Sequence, residues 1–383
     1  MTKAGATYGL SLLWTVLLSC LVTYFMIVTY GRFTLISGET AIYAFRKHIH
    51  PVVAWFFVVV LTMAVSGSVM GVMGIIANVS SEWSKSWIQG GISPIYFASF
   101  FICSVYAIFW NGKTQFFGKA MAVIVGVMVG SFVLSFFILM PSPDEILQGM
   151  VPNIPEVPSG KGQGPFLVIA SMVGTTVFSG LFIIRTTLVK EAGWGEKDLN
   201  TQKYDAMLSA AMMFLISFTI MATASSTLHV EGLSLNRVSE MLGLLEPVAG
   251  TFAVSIFATG IVAAGLSSQL PNVLMLPWLL CDYQQVPRDL TASHHRIMTF
   301  FISLLGLVVP IFKAPPVMVM IVSQAFTALI LPATVLSILY LGNVKEVMGN
   351  RSNDWRQNTI LVLILLFSIL ISGSGIKGLM GTL

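Results

Sequence analysis

Apolar stretches of membrane-spanning length recur ten times along this chain, over residues 8–30, 51–77, 94–110, 120–140, 166–189, 206–229, 247–281, 297–312, 316–341 and 358–376. A hydrocarbon core about 30 Å thick needs roughly 17–25 residues of helix to cross it. Water is absent there, so backbone amides and carbonyls must be satisfied within each segment, and each stretch predicts an α-helix. The pattern is that of an all-α polytopic membrane protein. Its longest polar interruption, residues 141–165, holds six prolines and the run Ser-Gly-Lys-Gly-Gln-Gly. That composition predicts an extended outer loop joining two halves.

Charge sets the orientation. The connections after the first, third, fifth, seventh and ninth stretches carry thirteen lysines and arginines, among them Arg32, Lys47, Lys197, Lys203, Lys345 and Arg351. The opposite side carries six, including Lys85 and Lys161. Basic connections stay in the cytoplasm, so Lys47, Lys197 and Lys345 are expected inside, and Lys85, Lys161 and both chain ends outside. Residues 1–7 have no signal-peptide character. An outside start of that kind is expected to follow an odd number of upstream helices, most simply one.

Composition narrows the class further. Of 383 residues, 56% are hydrophobic and 9% charged, against about 25% charged in soluble domains; the mean hydropathy is +0.86. The net charge of +4 follows from the basic connections and implies no nucleic-acid partner. Cys20, Cys103 and Cys281 have no metal-ligand spacing and read as packing residues. The histidines, His48, His50, His229, His294 and His295, sit in connections or at span ends with no paired nucleophile. An enzyme is not expected, nor is a cofactor. Membrane lipid and a small ion or solute are the expected partners.

Charge enters the apolar stretches at one place. All acidic residues fall outside the stretches, and Arg185 is the single basic residue within one. A cation at that depth either faces a protein interior or snorkels to the surface near Lys190. The same stretch contains Gly174-Thr175-Thr176-Val177-Phe178-Ser179-Gly180. Two glycines and three β-branched residues make a poor helix centre. A discontinuous helix here would expose carbonyls and amides to a substrate; the alternative is that the small residues serve close helix packing.

Residues 174–190, GTTVFSGLFIIRTTLVK, resemble the sixth helix of the NRAMP family of proton-coupled divalent-metal transporters. Residues 4–14 are similar to the segment leading into that family's second helix. Leu245-Glu246-Pro247, Ala264-Gly265-Leu266-Ser267-Ser268, Ser323-Gln324 and Leu331-Pro332 are also similar to family sequences. The resemblance implies a LeuT-like fold of two inverted five-helix repeats and a multi-pass protein of the cell membrane. Residues 1–140 would form the remainder of the first repeat, 141–165 the outer loop, 166–341 the second repeat, and 342–383 a cytoplasmic loop and final helix. The family's first helix, with its Asp-Pro-Gly-Asn centre, has no counterpart in this sequence.

The chain also departs from the family pattern. Phe178 stands where the family has a metal-coordinating methionine. Ser179-Gly180-Leu181 replaces Pro-His-Asn, Arg185 replaces a histidine, residues 64–71 hold none of the acids expected of the third helix, and Ile330 replaces a glutamine. A divalent ion about 8 Å from a fixed cation is repelled by about 4 kcal/mol at an effective dielectric near 20. If Arg185 faces the pathway, cation passage is opposed. The expected substrate pathway comprises Gly174, Thr175, Thr176, Phe178, Ser179, Gly180, Arg185 and Gln324, with the Thr175 carbonyl as the one metal ligand. The resemblance makes a secondary transporter the leading expectation, with divalent metal as its default substrate. A permease for another small polar solute, and a non-transporting membrane subunit or sensor, are the alternatives.

Overall fold

The computed structural model describes residues 1–85, 87–110, 141–156, 164–230, 246–289 and 292–380, with scattered positions between 119 and 134. The regular structure among the described residues is helical. We number the principal helices α1 Leu13–Ser37, α2 Pro51–Ser84, α3 Pro94–Trp110, α4 Pro165–Thr176, α5 Ser179–Glu191, α6 Leu199–Ala224, α7 Glu246–Gln284, α8 Ser293–Leu304, α9 Pro316–Asn343 and α10 Trp355–Met380. Eight spans among the described residues are long and apolar enough to cross a membrane, with α4 and α5 forming one of them and α3 a shorter apolar helix beside them. Most of the expected span at 120–140 lies outside the described residues.

Local chemistry sets the boundaries. Pro51, Pro165 and Pro316 each stand in the first turn of their helix, where a missing N–H costs nothing. The first span begins at Leu13, not at residue 8, because Tyr8 ends a separate short helix and Gly9 turns the chain at φ +57°. Gly38 ends α1 in the left-handed conformation, its N–H donating to Thr34 O, as expected of a helix terminator with no Cβ. The connection expected to be an extended outer loop is not wholly extended: Pro143–Gly149 is helical, and Ser142 Oγ accepts from the Glu145 N–H.

Interhelical contact relies on small residues and hydrogen bonds, since lipid removes the hydrophobic drive between helices. A Cβ at Gly71 of α2 would lie 3.0 Å from the Met320 backbone of α9, and one at Gly174 of α4 would lie 2.0 Å from the Gln324 carbonyl oxygen. Tyr30 of α1 stacks on Phe182 of α5 at 6.1 Å, and its hydroxyl donates to Thr334 O at 2.9 Å. Pro332 lies inside α9 and cannot donate to the carbonyl of Ala328. Ser372 of α10 donates to that oxygen at 2.9 Å. Large apolar side chains such as Leu17, Leu21, Met63, Leu208, Leu363 and Leu366 remain exposed, which is the face a bilayer covers.

Candidate functional site

The helix breaks where the glycine and threonine run places it. Helix α4 ends at Thr176, Val177 and Phe178 adopt non-helical conformations with ψ of 61° and 114°, and α5 starts at Ser179. The Thr175 and Thr176 hydroxyls donate back to the Ser171 and Met172 carbonyls at 2.8 and 2.9 Å, a bonding mode that competes with regular helix. The freed carbonyls then divide. Gly174 O accepts from Thr327 at 3.3 Å and Thr176 O accepts from Thr23 at 2.9 Å. The Thr175 carbonyl has no hydrogen-bond partner among the described residues.

A cavity of about 450 Å³ lies against this break, between α2, α4, α5, α7 and α9. Thr175, Phe178 and Gln324 line it, whereas Gly174, Thr176, Ser179 and Gly180 do not. Those four build the wall from behind. Gly174 admits α9, Thr176 joins α1, Ser179 Oγ accepts from Thr334 Oγ1 at 2.8 Å, and the Phe178 ring folds over Gly180, where a Cβ would meet it at 2.5 Å.

Arg185 requires a correction. It lies outside the cavity, with its guanidinium 2.6 Å from Asp205 of α6 and 5.5 Å from the Trp194 ring. An ion pair directed away from the cavity removes the repulsion that an inward-facing cation would exert on a positive substrate.

Apart from Gln324, sequence reasoning missed the opposite wall. Asn272 Nδ2 and Gln324 Nε2 both donate to Ser68 Oγ, at 3.2 and 3.3 Å. Gln324 Oε1 accepts from Thr327 Oγ1 at 3.5 Å, while Asn272 Oδ1 has no hydrogen-bond partner among the described residues. Met275 and Met320 also line the cavity, with Met320 Sδ 3.8 Å from Gln324 Nε2. None of the described lining residues is charged or titratable. The one signal available beforehand was Asn272 beside Pro271 inside an apolar run.

Leu188 and Trp278 are shared with a second cavity of about 640 Å³ towards the basic end. Its chemistry is the opposite. Asp282, which is 4% exposed, accepts from the Thr40 hydroxyl and from the Ile42 and Tyr43 amides. Lys190 donates to Gln285 at 2.9 Å, and Arg288 pairs with Glu191. Among the described residues no group of three or more His, Cys, Asp or Glu side chains converges as a metal cluster.

The natural resistance-associated macrophage protein-like (Nramp) family profile matches residues 1–376. The chain belongs to the Nramp family. It is 22% identical over 369 residues to the divalent metal cation transporter MntH of Klebsiella pneumoniae, covering 94% of this chain and 85% of that one. The manganese transporter of Eremococcus coleocola, solved in a mutant form, superposes with a TM-score of 0.78 at 14% identity, over 99% of this chain and 83% of that one. The inward-facing conformation of Mhp1 superposes with a TM-score of 0.55 at 12% identity, over 100% and 90%. The Nramp chain is thus a multi-pass integral membrane protein with a LeuT-like fold, and its family is one of metal-ion transporters, not of enzymes.

Proposed function

We propose that this Nramp-family chain is a secondary transporter that carries a small cation through the mid-membrane cavity by alternating access, with divalent metal as the substrate class. The observation that carries this reading is the broken helix opening onto the cavity with a Thr175 carbonyl that has no hydrogen-bond partner among the described residues. Broken helices of this kind present carbonyls to cations and amides to anions. Around a cation, the Thr175 carbonyl, the Asn272 and Gln324 amide oxygens and the thioethers of Met275 and Met320 are the available donors. Phe178 contributes no lone pair, but sulfur is supplied from α7 and α9.

A neutral donor set favours some ions over others. Affinity for hard divalent ions rises with the number of carboxylate ligands, and the cavity lining has none. Thioethers favour softer ions. Cadmium is therefore expected to bind best, manganese more weakly than micromolar, and magnesium least. Isothermal titration of the purified chain with the three ions tests this. Micromolar manganese binding that disappears when the break at residues 175–179 is altered would contradict the neutral-donor account.

A second reading is a permease for an uncharged polar solute. The Ser68, Asn272 and Gln324 cluster supports it, because it offers both donors and acceptors to a neutral guest. Solute flux that persists with all metal chelated would favour it over metal transport.

A further inference from the structure

Away from the transport cavity, a separate cavity of about 230 Å³ lies between α1, α6 and α10. Its residues change character along one direction. On α1, Tyr24, Phe25 and Val28 give way to Arg32; on α10, Gln357 gives way to Ile360; on α6, Lys203 lies on the wall and exposed Met207 and Leu208 follow one turn later. Helix α1 runs towards the basic end, and α6 and α10 run away from it, since Arg32 meets Asn353 and Arg351 meets Glu196 there. The cavity is therefore cationic at its mouth and apolar about 10–12 Å deeper, the rise of seven to eight helical residues.

The two cations differ in how they are held. Arg32 Nη1 donates to Asn353 Oδ1 at 2.9 Å and Nη2 to the Arg351 carbonyl at 2.5 Å, both neutral acceptors. The charged groups acting on it are Asp354 and Arg351, of opposite sign, and Arg351 is itself paired with Glu196 at 2.6 Å. The Lys203 side chain is exposed and has no hydrogen-bond or ionic partner among the described residues. A fixed guanidinium and a free ammonium at one mouth suit a phosphate oxyanion. The apolar depth suits an acyl chain.

We propose that this cavity binds an anionic phospholipid of the cytoplasmic leaflet, its phosphate between Arg32 and Lys203 and an acyl chain along Tyr24, Phe25 and Ile360. The basic excess assigns this end to the cytoplasm, where basic pockets between helices recognise anionic headgroups. A zwitterionic lipid offers the same phosphate but brings a cation against the two already there. The site is independent of what the central cavity transports.

Native mass spectrometry of the purified full chain, titrated with phosphatidylglycerol, phosphatidylcholine of the same acyl chains, or inorganic phosphate, tests the assignment. One phosphatidylglycerol per chain is expected to be retained in preference to phosphatidylcholine. Lys203→Gln should weaken that retention about fivefold, the equivalent of about 1 kcal/mol per basic residue, and Lys203→Glu should weaken it further. Lys345→Gln, outside the cavity, should leave it unchanged. Equal retention of the two lipids, or phosphatidylglycerol retention unchanged in both Lys203 variants, overturns the proposal. Inorganic phosphate competing as strongly as the lipid would mark a simple anion site and overturn it as well.

Discussion

The two cavities along the path from α4 to the basic end meet at Leu188 and Trp278, yet they solve the problem of buried polarity in opposite ways. The cavity beside the helix break has hydroxyls, carboxamides, carbonyls and thioethers, with no charged side chain among its described lining residues. The cavity towards the basic end has Asp282, Glu191, Lys190 and Arg288, held by pairing or by several hydrogen bonds. The difference follows from the cost of charge. An ionised group at membrane depth is expensive unless paired, whereas near the surface water and opposite charges compensate it. Neutral donors leave the central site open to a guest, and paired ions hold the helix ends together.

Breaking each half should therefore have different consequences. The largest effect is expected at the back wall of the break. Gly174→Leu drives a side chain into the Gln324 carbonyl, which a Cβ already approaches to 2.0 Å, and overpacking of this kind costs about 3 kcal/mol or more. Thermal unfolding in detergent should show a large loss or no folded protein, while Gly373→Ala, with open space around it, should match the parent. At the basic end, Asp282→Ala leaves the Thr40 hydroxyl and the Ile42 and Tyr43 amides without their shared acceptor. Leaving such donors without an acceptor costs about 1–3 kcal/mol. The unfolding midpoint should fall clearly, and Asp282→Asn should recover part of it.

A smaller effect sharpens the same contrast. Ser372→Ala removes the donor that satisfies the Ala328 carbonyl freed by Pro332, and should cost about 1 kcal/mol by the same unfolding measurement. The smallest stability change is expected for Asn272→Leu, because its amide faces the cavity and its Oδ1 has no hydrogen-bond partner among the described residues. Its effect should appear instead as weaker cadmium binding in titration.

Much of this architecture was legible from residue patterns. Spanning helices follow from runs of apolar residues, and the break follows from Gly174 to Gly180, because local propensity fails where small and β-branched residues cluster. The register of tertiary partners was not legible. Arg185 read either as a cation facing a pathway or as one snorkelling to the surface; its partner Asp205 comes from the next helix, and a single chain does not declare such pairings. The resemblance made Phe178 the expected loss of one thioether, while Met275 and Met320 line the same cavity from helices distant in sequence. Ser68 was an unremarkable polar residue in an apolar run until α7 and α9 brought the Asn272 and Gln324 amides to its hydroxyl.

Cadmium uptake into proteoliposomes addresses the central claim most directly, comparing the parent chain with Asn272→Leu and with the paired replacement of Arg185 by Gln and Asp205 by Asn. If the neutral wall beside the helix break is the substrate site, uptake is saturable in the parent, falls sharply in Asn272→Leu and persists when the Arg185 and Asp205 charges are removed together. Uptake that survives in Asn272→Leu but disappears with the Arg185 and Asp205 pair would place the site elsewhere and contradict the account.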